Sequence, residues 1–113
     1  MAAGRYNIVI QQGSTFERTI TIKQQSTGLP VDLTGATFRG QVREYVEDTV
    51  PLASFLCTDV DLVNGKFKIA LTATTTTSLN FDTGVYDVEI QYADTSVDRI
   101  LQGTVTLSKE VTR

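Results

Sequence analysis

The carboxylates are the side chains of this protein that are suited to acid–base catalysis or metal binding. The sequence contains 13 Asp and Glu residues, one cysteine and no histidine, which excludes an imidazole base and a histidine-activated nucleophile. A pair of carboxylates acting as acid and base remains, as in glycoside hydrolysis. Each candidate for such a pair is explained more simply as a turn residue or an outward-facing strand residue; the candidates are Asp59, Asp61, Asp82, Asp87 and Glu89. We therefore expect no enzyme and no catalytic residue.

Two acidic segments carry the ligand type that a metal cation prefers. Residues 59–65 begin like a calcium-binding loop, but Val63 stands where a third acidic ligand is needed and Ala70 where the bidentate glutamate should be. Residues 44–52 hold three carboxylates without fixed ligand spacing, which is typical of a solvated loop. The one cysteine, Cys57, is expected to be a small core residue. We expect no metal, no cofactor and no internal disulfide.

Composition and charge limit the classes of partner. The 113 residues are 41% hydrophobic and 20% charged, as in a folded domain with one core. The net charge of −3 and the pI near 4.8 offer no diffuse basic surface for nucleic acid. No apolar run approaches the roughly 20 residues of a membrane span, and no signal-peptide core follows the first residues. We expect neither nucleic acid nor a membrane as partner, and a chain used without secretion through a signal peptide.

The elements that would position these side chains are predicted to be β-strands. Threonine fills 18 of the 113 positions, and β-branched threonine suits the solvent face of a sheet. The clearest strand places Tyr86, Val88 and Ile90 on one face, alternating with polar residues on the other. This alternation is typical of a strand with one buried face.

Two interpretations of the entry to that strand remain open. Asp82-x-Gly84-x-Tyr86 resembles the corner before strand F of immunoglobulin-like sandwiches, where a tyrosine bonds back to the backbone. It is also explained by a tight turn, with Gly84 at positive φ, that feeds any antiparallel strand. Under both interpretations Tyr86 is structural.

The rest of the chain predicts an all-β fold. Turn signals recur about every eight to twelve residues, which favours an antiparallel two-sheet immunoglobulin-like β-sandwich of roughly seven to nine strands. Asn64-Gly65 is predicted to be a two-residue hairpin turn, because both residues tolerate positive φ. Residues 72–79 predict a short helical turn. Residues 1–113 would form one domain, with residues 1–12 as an amino-terminal arm or edge strand. The side chains expected to face inward include Phe16, Ile20, Ile22, Phe38, Val42, Phe67, Ile69, Leu71, Tyr86, Val88, Ile90 and Leu101.

Five spaced segments together resemble a known family. These segments are residues 31–43, 65–72, 83–90, 99–107 and 110–113, and the similarity lies in their order and spacing from about Val31 to Arg113. The chain is similar to the small immunoglobulin-like virion proteins of tailed bacteriophages and to the amino-terminal attachment modules of some phage baseplate proteins. The resemblance implies a non-enzymatic virion structural protein, either a tail, neck or baseplate attachment component or a capsid decoration. It would be assembled in the host cytoplasm and located in the virion.

The same resemblance implies that the partners are other virion proteins and further copies of this chain. Exposed strand edges are able to extend a neighbour's sheet, and the amino-terminal segment, with Tyr6, Ile8 and Ile10, is expected to pair with another subunit. Deleting residues 2–10 would then abolish assembly and leave the sandwich folded. The alternative is a carbohydrate-binding or adhesion module. With no tryptophan, its sugar platform would need an exposed tyrosine, for which Tyr45 is the leading candidate. A loop tyrosine that packs on its own sandwich is the simpler explanation of Tyr45.

Overall fold

The strands appear where the alternation predicts them. The computed structural model describes residues 4–24 and 26–112, so residues 1–3 of the predicted amino-terminal arm lie outside the described residues. Within these ranges one short helix, α1, spans Ala73–Thr77, and a 3₁₀ turn spans Leu62–Asn64. The strands are β1 Gly4–Arg5, β2 Ile8–Gln11, β3 Phe16–Thr21, β4 Thr37–Arg43, β5 Ala53–Ser54, β6 Leu56–Asp61, β7 Lys66–Leu71, β8 Thr83–Gln91 and β9 Val97–Ser108. No helix in these ranges is long and apolar enough to cross a membrane.

Two sheets pack face to face, which confirms the all-β sandwich. The first sheet has the order β1-β9-β8-β4-β5, with β2 also paired to β9, and the second has the order β3-β7-β6. The orders β4-β8-β9 and β3-β7-β6 correspond to C-F-G and B-E-D of the immunoglobulin fold. The prediction that all strands are antiparallel is wrong in one place, because β1 and β2 run parallel to β9.

The core lies between the two sheets and is built from the inward positions of every long strand. Val42, Val88 and Val105 of the first sheet are fully buried. The ring of Phe38 stacks on that of Phe67 in the second sheet, with centroids 4.0 Å apart. Most of the predicted inward residues are buried; Ile20, Phe38 and Leu101 are partly buried against the same core.

The helical turn between β7 and β8 is confirmed, and Thr72, directly before its first residue, caps it. The Thr75 backbone N–H donates to Thr72 Oγ1 at 3.2 Å, which satisfies one of the free donors at the start of the helix. Thr76 is fully buried; its hydroxyl accepts from the Gly13 N–H at 3.1 Å and donates to the Ser14 carbonyl at 2.8 Å. The turn is thereby fixed to the segment between β2 and β3.

The connection between β6 and β7 corrects the predicted hairpin turn. The strands do form a hairpin, but a 3₁₀ turn closes it and of the predicted pair only Gly65 has positive φ, at 73°. Leu62 packs against the core, and its carbonyl accepts from the Leu33 N–H at 2.8 Å. A two-residue Asn64-Gly65 turn would leave Leu62 no position from which to make these contacts, so the longer connection replaces it.

The entry to β8 also differs from the prediction. Gly84 does not have positive φ; it lies inside β8, where a Cβ atom would approach the Arg43 carbonyl oxygen to 2.6 Å. The glycine is required by the close approach of two backbones. Asp82 lies before the strand and pairs with Lys109 at 3.0 Å. The Tyr86 hydroxyl does donate to a backbone carbonyl, and that carbonyl belongs to Tyr6, 80 residues earlier.

The described part of the amino-terminal segment is an edge strand of the molecule's own sheet. Ile8 and Ile10 pair with Val105 and Leu107 of β9 and are 4% and 0% exposed. Their assignment as residues that contact another subunit is therefore wrong, since the alternation that makes β2 apolar on one face supplies this chain's own core. The same burial argues against the expectation that the sandwich stays folded without residues 2–10.

Candidate interaction surface

The outer face of the first sheet carries a continuous patch of polar side chains that cross-strand pairing brings together. One row crosses four strands, with Gln41 opposite Asp87, Asp87 opposite Gln102, and Gln102 opposite Arg5. A second row places Arg39 opposite Glu89 and Glu89 opposite Arg99, and a third begins at Arg43. We call this patch the arginine face; it comprises Arg5, Arg39, Gln41, Arg43, Asp87, Glu89, Arg99, Gln102 and Thr104.

A β-bulge in β9 brings Arg99 onto this face. The pairing shifts between Val88 and Glu89, whose partners are Leu101 and Arg99, so Ile100 is an extra residue. Ile100 is 5% exposed. Strict alternation back from Gln102 would have turned Ile100 outward and Arg99 inward. The bulge therefore buries the isoleucine and exposes the arginine.

Ion pairs and amide contacts orient most of the guanidinium groups. Arg39 Nε lies 2.8 Å from Glu89 Oε1, and Arg99 Nε lies 3.3 Å from Asp87 Oδ2. Arg43 Nη2 donates to Gln41 Oε1 at 2.8 Å, and its Nη1 donates to a backbone carbonyl in the following loop. Arg5 forms no ion pair with another described residue. The face thus presents an ordered set of donors with few acceptors among them.

The carboxylate in the middle of the face is partly withdrawn from water. Burial raises the pKa of Asp87 above its ordinary value, although the Arg99 and Arg43 guanidinium groups favour its charged form. Across the whole face four arginines stand against two carboxylates. In a chain of net charge −3, this face is locally positive by two charges.

The face is concave, and an apolar loop overhangs one side of it. A depression of about 470 Å³ is lined by Arg5, Arg43 and Arg99, and also by Val46 from the loop of residues 44–52. Val46 and Val50 of this loop are 77% and 74% exposed, with Tyr45 and Leu52 also exposed; the described residues hold no other loop so apolar. The sequence leaves Tyr45 either exposed or packed on its own sandwich, and it is 58% exposed. We call residues 44–52 the apolar loop.

A second exposed surface lies along the free edge of the second sheet. We call it the β6 ridge: Leu56, Asp59, Val60, Asp61 and Val63, all of which are exposed. The Asp61 carboxylate accepts from the Asn64 amide at 2.8 Å, and a bulge interrupts the pairing between Asp59 and Asp61. Neither aspartate forms an ion pair within the described ranges.

Both edge strands of the second sheet carry a charge on the side that faces the sandwich. Arg18 of β3 pairs with buried Ile69, and Asp59 of β6 pairs with buried Phe67. Inward charges and bulges on an edge strand oppose the addition of another strand. The expectation that an open edge extends a neighbour's sheet is therefore disfavoured at these two edges.

Three of the predicted chemistry-bearing carboxylates lie beside cationic side chains. Asp82, Asp87 and Glu89 each pair with a lysine or arginine. Among residues 4–24 and 26–112 no three His, Cys, Asp or Glu side chains form a cluster able to hold a metal. Cys57 is only partly buried, and burial raises the pKa of its thiol, which opposes reactivity.

The comparisons with known proteins leave the function open. No family model matches the sequence, and no curated protein matches it. One solved structure to which the chain is similar is the internalin-like protein lmo2027 of Listeria monocytogenes, with a TM-score of 0.45 and 18% identity. The match covers 94% of this chain and 28% of that one, so this chain spans less than a third of its neighbour. A likeness at this level carries no argument, and the resemblance to phage virion proteins stays a prediction.

The arginine face was not predicted from the sequence, although the alternation of polar residues that forms part of it is present there. Arg39, Gln41 and Arg43 alternate with inward residues, as do Asp87 and Glu89, so each run is readable as one outer face. That the two runs lie side by side depends on pairing between strands far apart in the chain. The position of Arg99 depends on a bulge, which alternation cannot supply.

Proposed function

We propose that the protein is a non-enzymatic structural component of a tailed-bacteriophage virion that acts through protein–protein contacts. It serves as a tail, neck or baseplate attachment protein or as a capsid decoration. Its partners are other virion proteins and further copies of itself. The resemblance of the sequence to such proteins motivates the proposal.

The observation that carries the protein-contact role is the arginine face beside the exposed apolar loop. Arginine, tyrosine and apolar side chains around a concave patch are the composition enriched in the cores of protein interfaces. Tyr45 and Val46 supply apolar area, while Arg43 supplies oriented donors and Arg5 adds a second guanidinium group to the depression. A monomer rarely exposes such a loop without a partner for it.

The test is quantitative mass spectrometry of purified particles from the source. The chain is expected at a fixed ratio to the major capsid and tail-tube proteins. A high copy number would assign it to the capsid surface and a low multiple to the neck or baseplate. Absence from purified particles would contradict the proposal.

A matched pair of variants connects the surface to the role. Val46→Ser with Arg43→Gln alters the candidate surface, whereas Thr21→Ser with Lys23→Gln alters exposed residues at and just after the end of β3 in the second sheet. The first pair should reduce incorporation into particles at least several-fold and the second should leave it unchanged. Equal incorporation of both would remove the arginine face from the proposed contact.

Carbohydrate binding is the second candidate, because Tyr45 is 58% exposed in the loop whose Val46 lines the depression together with the planar polar groups of Gln41 and Asp87. Aromatic rings with such groups are typical of sugar sites. A glycan array would show binding that Tyr45→Ala removes. Silence of the array together with unchanged behaviour of Tyr45→Ala would eliminate this candidate.

A further inference from the structure

Charge is divided unevenly between the arginine face and the rest of the molecule. The face contributes four arginines and two carboxylates, so it carries +2 while the remainder of the chain, with six cations and eleven carboxylates, carries −5. Opposite charges on different surfaces of one chain favour contact between unlike surfaces of two copies.

The arginine face has unused capacity for carboxylates. Arg43 is held only by neutral acceptors, the Gln41 side-chain oxygen and a backbone carbonyl, and Arg5 has no ion-pair partner among the described residues. Asp87, the carboxylate at the centre, is engaged by Arg99. Guanidinium groups in this state bind an incoming carboxylate with charge-assisted and often paired hydrogen bonds.

The β6 ridge has the complementary chemistry. Asp59 and Asp61 are exposed without ion pairs and alternate with Val60, which is 53% exposed, and Val63, which is 62% exposed. The depression of the arginine face combines guanidinium groups with Val46. The two carboxylates of the ridge are therefore complementary to two arginines of the face, and its two valines to the exposed valine of the apolar loop.

We infer that the arginine face of one copy binds the β6 ridge of the next copy. The inference deepens the proposed function, on which it rests, by naming the partner as a second copy of this chain. Face against face and ridge against ridge both bring like charges together, so only the head-to-tail contact is favourable. Because the two surfaces differ, the contact is heterologous and builds a closed ring or an open filament rather than a two-fold dimer.

The first measurement is sedimentation of the purified chain over a range of protein and salt concentrations. Species larger than the monomer are expected at an ionic strength of about 0.01 M. They should dissociate near about 0.15 M, because the screening length falls from about 30 to about 8 Å. A chain that stays monomeric at low salt up to about 0.1 mM, where even a micromolar contact would be populated, overturns the inference.

Two neutral double variants separate the surfaces. Arg5→Gln with Arg43→Gln disables the face, and Asp59→Asn with Asp61→Asn disables the ridge; each alone should associate at least tenfold more weakly than the wild type. Mixed in equal amounts, they retain one good face and one good ridge between them. The mixture should form a dimer and nothing larger. Wild-type-like association of either variant, or a mixture of monomers, contradicts the head-to-tail contact.

A matched control removes two positive charges elsewhere. Lys23→Gln with Lys109→Gln changes the net charge as the face variant does, and both lysines lie outside the arginine face and outside β6; this control should associate like the wild type. Circular dichroism and thermal unfolding check that every variant is folded. The salt dependence of the wild type decides the matter should a variant unfold. A monomeric chain that is present in particles would refute this contact alone, and an associating chain absent from particles would refute the virion role alone.

Discussion

The carbonyl group of Tyr6 is one of the contacts that join the amino-terminal segment to the centre of the first sheet. The Tyr6 carbonyl accepts from the Tyr86 hydroxyl and lies over Gly103, which is directly opposite Tyr86 in the β8–β9 pair. Asn7 adds a second contact, since its side-chain oxygen accepts from the Thr104 N–H at 3.1 Å. Tyr86 is thus a structural residue whose hydroxyl has a specific, partly buried partner.

Removing that hydroxyl should destabilise the fold. Tyr86→Phe leaves the Tyr6 carbonyl without its donor, and the loss of a partly buried hydrogen bond costs about 1 kcal/mol of unfolding free energy. Urea unfolding measures the loss. Tyr45→Phe is the matched control, because Tyr45 is exposed and its change should stay within about 0.5 kcal/mol. Equal stability of the wild type and Tyr86→Phe would show that the bond is dispensable.

The same phenol predicts a loss of stability at alkaline pH. Burial, with a smaller contribution from Tyr6, raises the pKa of Tyr86 from 10.0 to about 12. A raised pKa in the folded state means that the neutral phenol contributes its full stability below the unfolded value. That contribution disappears as the pH rises from about 10 through about 12.

Alkaline unfolding curves of the wild type and Tyr86→Phe check this sign. The difference in stability between the two should shrink as the pH rises above 10, while the difference in phenolate absorbance reports the titration of Tyr86 itself. A constant difference up to pH 12 would contradict the assignment of the raised pKa.

Alternation alone predicts the burial of Tyr86, Val88 and Ile90, and these three are 4%, 0% and 0% exposed. The bonding partner of the tyrosine could not be predicted in this way. It lies 80 residues away in the chain, and nothing in the local pattern encodes a contact at that separation. The positive φ predicted for Gly84 is wrong for a related reason. A glycine is required there by the Arg43 carbonyl across the sheet, and not by the φ angle of Gly84 itself.

At the scale of elements, β2 is part of the core rather than a free arm. The strand places Ile8 and Ile10 inward and exposes Val9. The Gln12 side chain extends the attachment, since its amide donates to the Leu79 carbonyl at 2.8 Å and its oxygen accepts from the Glu110 N–H at 2.9 Å. An element held in this way by its own chain is expected to be needed for folding.

Ile10→Ala tests the strand directly. Ile10 is 0% exposed, and truncating a buried isoleucine costs about 2–5 kcal/mol through lost burial and the cavity left behind. Val9→Ala on the same strand, at 52% exposure, should cost no more than about 1 kcal/mol. Chemical unfolding gives both values. Similar small losses for the two variants would mean that β2 is an attached arm after all.

The existence of the strands follows from the sequence, whereas their pairing does not. Alternation and turn residues predict β3, β7 and β8 with their inward side chains. The parallel pairing of β2 with β9 joins the two ends of the chain, and such a pairing leaves no signal in either strand. The bulge at Ile100 is equally hidden in the sequence. A shift of one residue in the pairing changes which side chains face outward, while the composition of the strand stays the same.

At the scale of the whole molecule, the two sheets and the amino-terminal segment share one core. Phe38 of β4 stacks on Phe67 of β7, and the rings of Phe16 and Phe55 lie 6.0 Å apart. The one cysteine leaves no disulfide to hold a partly unfolded state together. Each sheet covers the apolar face of the other, so neither face is stable alone in water.

This shared core predicts one cooperative unfolding transition. Tyrosine fluorescence, which includes the buried Tyr86, and far-ultraviolet circular dichroism, which reports all strands, should give the same urea midpoint. Ile10→Ala should move both midpoints together without changing the slope of free energy against urea, because the surface exposed on unfolding is nearly the same. Two separated midpoints, or a shift of one signal alone, would show that the amino-terminal strand or one sheet unfolds by itself. The burial of Ile8 and Ile10 of β2 in the same core as Phe67 of the second sheet argues for a single transition.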